Sequence, residues 1–414
     1  MASRGQHLVR SGLRFASGSS LLGRLIGPAF AKLLDQLHDR IRQGGIEATL
    51  PDGSQRRIGF HRHGPKAIVH LHSWLSLVRL ATSGSVGWYR AWDKCEWSSP
   101  DPVPLFELFM RNGQSLGEIG RAKGSARWYN QLLHRRRDND RRTARRNIAA
   151  HYDLGNDFYA AWLDPSMTYS SARFELGDDL EAAQRRKVGM LLDRIELKPG
   201  SRLLEIGCGW GTLAIEAARR GAKVVGLTLS AEQKSWADAK IAEVGLSDQI
   251  EIRLQDYREI GEQFDAVASV EMVEAVGQRW WPAYLDSIAR NLKEGGRAAI
   301  QLISIDHRIF GGYSRNPDFI QAYIFPGGML IDEPRFERLA RERGLSWEDR
   351  EGFGPDYAET LRQWRERYEG AVREGRLNGF DDRFHRLWRY YLMYCEGGFR
   401  GRGIDVAQVT MVKS

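Results

Sequence analysis

Gly207, Gly209 and Gly211 alternate directly after the apolar run Leu203-Leu204-Glu205-Ile206, and Thr-Leu-Ala-Ile-Glu-Ala-Ala-Arg-Arg follows with helical spacing. A strand, a glycine turn and a helix in that order let backbone approach a ligand closely and offer it the first amides of the helix. Glu205 lies two residues before the first glycine. A carboxylate there ill serves a phosphate pocket, but it suits a cationic amine or sulfonium. The turn therefore points to S-adenosylmethionine, with a nicotinamide dinucleotide as the alternative that glycines alone leave open.

Other polar residues recur where later strands should end. Thr228 takes the place where a dinucleotide fold carries its ribose-binding acid, and Gln233, five residues on, can reach a ribose instead. Asp256 is placed to accept from an adenine amine, with Gln255 and Tyr257 beside it, or else to cap a helix. Glu271 to Glu274 also fall at the carboxyl end of a strand, and Glu274 either serves the chemistry there or is a structural carboxylate paired with an arginine.

Alternating apolar periods supply the elements that would hold these groups. Strands are expected at 202–206, 223–227, 250–254, 264–269 and 297–304, with helices between them at 231–244 and 281–292. That alternation reads as an α/β fold, a doubly wound, mostly parallel sheet whose ligand crevice lies at the carboxyl ends of the strands.

At 414 residues and 42% hydrophobic, the chain can bury this domain and a second one. Cys95, Cys208 and Cys395 have no pair spacing, which argues against a disulfide framework or a thiolate metal site and for a reducing compartment. No run of 18 apolar residues is present to span a bilayer. The net charge of +8 suits an anionic partner, membrane lipid or nucleic acid, or simply a soluble basic surface.

Residues 1–110 read as a smaller α+β domain. Leu21, Leu22, Leu25, Ile26, Phe30, Leu33, Leu34 and Leu37 recur at three and four on a basic background. Such an amphipathic helix packs on the protein's own body or lies on a membrane, and a basic, acid-poor start also resembles a transit peptide. Strands are expected at 46–50, 57–60, 67–72 and 85–89. His61 with His63, and His70 with His72, share strand faces without a matching carboxylate or cysteine, so they are expected to be ordinary histidines with no metal.

Residues 111–150 read as a basic linker, with Arg135, Arg136, Arg137, Arg141, Arg142, Arg145 and Arg146 close together. No stacking aromatics are interleaved, so a solvated linker or contact with anionic phospholipid is expected, and nucleic acid is not. Residues 151–414 form the expected catalytic domain.

Six ordered motifs across 147–400 resemble the cyclopropane-fatty-acyl-phospholipid synthases: His151-Tyr152-Asp153-Leu154-Gly155-Asn156, Met167-Thr168-Tyr169-Ser170, Leu204 to Gly211, Gly226 to Ser230, Gln255-Asp256-Tyr257-Arg258 and Tyr323-Ile324-Phe325-Pro326-Gly327-Gly328. The resemblance implies a Rossmann-like methyltransferase that transfers a methyl group from S-adenosylmethionine to a cis double bond of an unsaturated acyl chain in membrane phospholipid. The resulting cation loses a proton to a bound bicarbonate and closes a cyclopropane ring. It further implies a homodimer in the cytoplasm, peripheral to the inner face of the membrane.

Carried over by position, the resemblance gives the amino-acid end of the cofactor to Tyr169, Ser170 and the 207–211 turn, the ribose to Thr228 and Gln233, and the adenine to Gln255, Asp256 and Tyr257. It gives the bicarbonate cradle to Ser171, Glu274, Gln301, Ile303 and Tyr357. Ser171 and Gln301 stand where the bacterial pattern has cysteine and histidine, and Ala275 where histidine is common. Gln301 can donate a neutral hydrogen bond and Ser171 its backbone amide. The wording of 271–277 and 301–305 looks more like the plant-type synthases and the bacterial unsaturated-fatty-acid methyltransferases, which give a methylated alkene instead of a ring.

Overall fold

The computed structural model describes residues 4–11, 27–117 and 154–414. The basic cluster at 135–146, residues 12–26 and His151 to Asp153 lie outside them. Two compact units divide the chain: Met1–Arg137 with Asp306–Pro326 and Asn378–Ile404, and Asp138–Ile305 with Gly327–Leu377 and Asp405–Ser414.

The first unit carries a small sheet of β1 (Gly45–Thr49), β2 (Gln55–Gly59), β3 (Lys66–Leu71) and β4 (Trp97–Ser98) in the order β2-β1-β3-β4. β1 pairs antiparallel with β2 and parallel with β3. Phe30, Leu34 and Leu37, on the helix Gly27–Arg40, are buried, so this part of the amphipathic stripe packs on the protein's own body. The strand expected at 85–89 is instead part of the helix Leu75–Asp93, which bends at Gly84. Val86, Trp88 and Tyr89 look like strand formers, but all three are buried within the helix, and tertiary packing overrides their local preference.

The expected division into 1–110, a linker at 111–150 and 151–414 is contiguous, whereas the two units interleave along the chain. The later segment Asn378–Ile404 belongs to the first unit because the helix Asp382–Arg400 packs its apolar face there. A Cβ on Gly397 would lie 2.4 Å from Phe106 Cβ and 2.8 Å from the Val103 carbonyl, so glycine alone permits this approach to the helix Val103–Arg111. Tyr390 meets Phe106 and Tyr89 with ring centroids 5.1 Å apart in each case.

The second unit is built on β5 (Arg202–Ile206), β6 (Lys223–Thr228), β7 (Ile250–Leu254), β8 (Phe264–Val270), β9 (Leu292–Ile305), β10 (Glu348–Gly352) and β11 (Ile404–Val412), in the order β10-β11-β9-β8-β5-β6-β7. β5 pairs parallel with both β6 and β8, β6 with β7, and β8 with β9, while β10 and β11 are antiparallel. This is the expected doubly wound, mostly parallel sheet, and its order reverses beside β5. Leu203, Val224, Ile252, Ala266 and Ala299 face the core, and Ala214, Ala217 and Ala218 let the helix Thr212–Arg219 settle closely on them. The reversal places the crevice at the carboxyl ends of β5 and β8.

Candidate active site

The turn after β5 is shaped for close approach. Gly209 has φ +53 and a Cβ there would meet no atom within 4 Å, so the backbone borders open space. Glu205 is buried; one of its oxygens takes the Ala214 amide, while Oε2 has no hydrogen-bond partner. Burial pushes Glu205 up to about 8, opposed by Lys187. A buried carboxylate with an unspent oxygen beside an open glycine turn fits a cationic ligand, and these residues therefore fit S-adenosylmethionine.

The other expected cofactor residues line the same strand ends. The Thr228 hydroxyl donates to Gln233 Oε1 at 2.9 Å and accepts from the Ser230 amide at 3.1 Å, which leaves the Gln233 amide hydrogens as its donors toward a ribose. Gln255 hangs from β6 through its amide, which donates to the Thr228 carbonyl at 3.1 Å. Asp256 caps the turn Tyr257–Glu259 and takes a two-pronged ion pair from Arg258, at 2.8 Å from Nε and 2.6 Å from Nη2. The Arg258 guanidinium in turn lies 5.1 Å from the Trp280 ring. The Tyr257 ring is buried and lies edge-on to Tyr284 at 5.6 Å.

An aromatic cluster leads from the turn toward the acids. The Tyr159 ring lies 5.2 Å from Trp210 and 5.4 Å from Tyr169, Tyr169 lies 5.2 Å from Trp364, and Trp364 lies 6.1 Å from Tyr357. The faces of such rings can stabilise a developing cation.

Beyond that cluster, the expected cradle residues do come together, but around a different carboxylate. Glu271 Oε1 accepts from the Ser171 amide at 2.9 Å and from Gln301 Nε2 at 2.8 Å, and Oε2 accepts from the Tyr357 hydroxyl at 2.7 Å. Glu274, the acid assigned to the cradle from sequence, instead accepts from the Ile303 amide, and its Oε2 has no hydrogen-bond partner. Glu271 sits at φ +50, a left-handed conformation that costs a non-glycine residue ~1–2 kcal/mol. The three donors offset that strain.

Bicarbonate does not fit this arrangement. Gln301 Nε2 is shared between Glu271 and the Ser171 carbonyl, the Ser171 amide and Tyr357 hydroxyl serve Glu271, and the Ile303 amide serves Glu274. A further anion would have to displace these bonds while lying against the Glu271 carboxylate.

The two acids differ in environment. Burial pushes Glu271 up, but Lys187, Tyr357, Ser171 and Gln301 all oppose it. Burial pushes Glu274 up to about 8, and the Glu271 charge adds to the effect. Within the pair, Glu271 ionises first and Glu274 holds its proton.

Lys187, on the helix Leu180–Arg194, was missed by sequence reasoning. It is fully buried, its Nζ donates to Ser170 Oγ at 2.5 Å, and Glu271, Asp164 and Glu205 surround it electrostatically. Burial lowers it to about 8, with those acids opposing. Gln184, one turn earlier, donates to the Ser170 carbonyl at 2.8 Å. The signal was present in the sequence: Gln184 and Lys187 sit among Ala183, Val188 and Leu191 on the buried face, where polar residues are rare. Ser170 is thus tied to this helix through both its carbonyl and its hydroxyl.

Among the described residues no group of three or more His, Cys, Asp or Glu side chains could hold a metal ion. The strand histidines have protein partners, His70 with Thr49 Oγ1 at 3.2 Å and His72 with Ser98 Oγ at 2.8 Å.

The chain is similar to known proteins along most of its length. The model of the family described as mycolic acid cyclopropane synthetase matches residues 139–409. Tuberculostearic acid methyltransferase UfaA1 of Mycobacterium tuberculosis is 39% identical over 363 residues, covering 84% of this chain and 83% of that protein. The cyclopropane-fatty-acyl-phospholipid synthase of Escherichia coli K12 is 41% identical over 264 residues, covering 63% of this chain and 66% of that protein. The solved mycolic acid cyclopropane synthase CmaA1, complexed with SAH and CTAB, superposes with a TM-score of 0.61 at 30% identity, over 65% of this chain and 98% of its own.

Proposed function

The chain belongs to the mycolic acid cyclopropane synthetase family and is an S-adenosylmethionine-dependent methyltransferase that modifies unsaturated fatty acyl chains, and from that premise we propose that Glu271 is the proton acceptor of a reaction that closes a cyclopropane ring on a phospholipid acyl chain. The convergence of Ser171, Gln301 and Tyr357 on its carboxylate carries the reading.

When bound, S-adenosylmethionine supplies an electrophilic methyl group for the π bond. Glu205, the 207–211 turn and Tyr169 hold its cationic end, Thr228 and Gln233 its ribose, and Gln255 and Asp256 its adenine. The cation left on the acyl chain must lose a proton, and Glu271, ionised and fixed by three donors, takes it from the added methyl carbon. The pair of electrons from that C–H bond closes the ring. Trp364 and Tyr169 keep water from the cation, and Glu274, protonated, adds no second charge. Glu271 is held by Ser171, Gln301 and Tyr357, three of the five residues that the sequence resemblance gave to bicarbonate, so a base at that point takes the same proton.

The substrate is presented from an anionic phospholipid surface at the cytoplasmic face of the membrane, with the protein peripheral and homodimeric. Its net charge of +8 supports the surface, and no helix among the described residues is long and apolar enough to cross a membrane. The sequence resemblance alone supports the dimer and the compartment.

A second reading, methylation that leaves a methylated alkene, is favoured by the greater share of this chain that aligns with the tuberculostearic acid methyltransferase. Incubation with S-adenosylmethionine and vesicles of mono-unsaturated or di-unsaturated phospholipid, followed by mass spectrometry and proton NMR of the released chains, separates the two. One added CH2 with upfield ring protons establishes the ring, and a vinylic signal of the same mass establishes the alkene. No mass gain refutes both.

A further inference from the structure

Gln301 is a neutral amide and could face Glu271 with either its nitrogen or its oxygen. Two residues further from the site decide which. Arg194, at the end of the helix Leu180–Arg194, can only donate, and its Nε does so to Gln408 Oε1 at 3.2 Å. Gln408, on β11, therefore turns its Nε2 the other way, where it donates to the Lys187 carbonyl at 3.0 Å and to Gln301 Oε1 at 3.2 Å. Gln301 is left to present Nε2 to the Ser171 carbonyl at 3.3 Å and to Glu271 Oε1 at 2.8 Å. Both glutamines are fully buried, so each amide depends on these protein partners.

The geometry points to Gln408, anchored by Arg194, as a positioning residue for proton removal, the last link that keeps a donor and never a carbonyl oxygen against the Glu271 carboxylate. This rests on the reading of Glu271 as proton acceptor. A donor at that point favours the ionised carboxylate, and an oxygen would favour the protonated one. The titratable groups that face Glu271 are Lys187 from the helix Leu180–Arg194, Tyr357 from the helix Gly354–Arg373 and Glu274 from the turn after β8. None of these contacts changes directly when Gln408 is replaced.

The test is the pH dependence of kcat on vesicles of mono-unsaturated phospholipid for the parent, Gln408→Leu and Gln408→Glu, with calorimetric binding of S-adenosylmethionine alongside. In Gln408→Leu the Gln301 amide is free to turn, so kcat falls ~10-fold at neutral pH and the acid limb moves up by about one pH unit, with KM and cofactor affinity unchanged. Gln408→Glu keeps the size but can only accept; it draws Gln301 Nε2 away from Glu271, and its kcat falls below that of Gln408→Leu. If the Gln408 variants do not fold, Arg194→Met removes the anchor from the unit's edge and moves the acid limb in the same direction. Acid limbs that stay in place, or a Gln408→Glu enzyme as active as the parent, overturn the proposal. Failure of the underlying reading looks different, because Glu271→Gln would then keep parent activity.

Discussion

Glu271 and Glu274 lie three residues apart after β8 and are both half-buried, yet the Glu271 carboxylate accepts from Ser171, Gln301 and Tyr357, whereas the Glu274 carboxylate accepts from the Ile303 amide. One carboxylate is prepared to hold charge and the other to hold a proton. Two like acids in one site are separated here by what surrounds them.

The donor set around Glu271 predicts an outcome for its removal. Glu271→Gly suits the local φ of +50 and leaves the Ser171 amide, Gln301 and Tyr357 facing an opening. Turnover should drop ~10²–10⁴-fold, as expected for loss of a general base. Added bicarbonate or formate should restore part of it, while the parent enzyme is indifferent to both. Rates measured in carbon-dioxide-free buffer check this, and a parent that needs bicarbonate would refute it.

Gly209→Val should abolish cofactor binding without unfolding the chain. A Cβ there meets nothing within 4 Å, so the branched side chain extends into the space that the turn leaves open. Calorimetry with S-adenosylmethionine should show at least ~100-fold weaker binding, since the added bulk and the left-handed φ together cost a few kcal/mol. Near-parent affinity would move the cofactor away from this turn.

Glu274→Gln tests the protonated state of that acid through stability. Glu274 is pushed up to about 8 from an ordinary 4.5. Across that window the folded chain keeps a proton that the unfolded chain has released, so this stability is complete below about 4.5 and is lost as pH rises toward about 8. The amide carries no such linkage. The melting temperature of Glu274→Gln relative to the parent should therefore climb from pH 5 to pH 8 and level off above it; a difference independent of pH would show that Glu274 is ionised throughout.

Gly397→Leu should destabilise the first unit through overpacking by at least ~1–3 kcal/mol, because its Cβ would fall 2.8 Å from the Val103 carbonyl and 2.9 Å from the Glu107 amide. Denaturant titration reads the loss. If stability is unchanged, the helices Val103–Arg111 and Asp382–Arg400 are not in such close contact.

Much of the sheet was legible, since β5, β6 and β8 carry short apolar runs and β7 alternates apolar with polar residues. The glycine turn and Glu205 announced their ligand by type and spacing. Glu271 did not, because its meaning comes from Ser171, Gln301 and Tyr357, which are 100, 30 and 86 positions away. The segment 85–89 misled for the opposite reason: its residues have strand propensity, but the burial of Leu77, Leu80 and Val86 belongs to a helix. The helix Asp382–Arg400 was read as part of the catalytic domain because amphipathicity reveals that a face is covered and not what covers it.

The interleaving of the two units also bears on how the protein is made. Neither unit is complete until the ribosome has passed residue 404, since each draws on segments from both halves of the chain. At ~5–20 residues per second, β1 to β4 wait roughly half a minute for the helix Asp382–Arg400 that finishes their core. The apolar side of Val103–Arg111 stays uncovered during that interval. Nascent chains of this protein should therefore depend on chaperone shielding more than a chain of the same length whose domains are built one after the other.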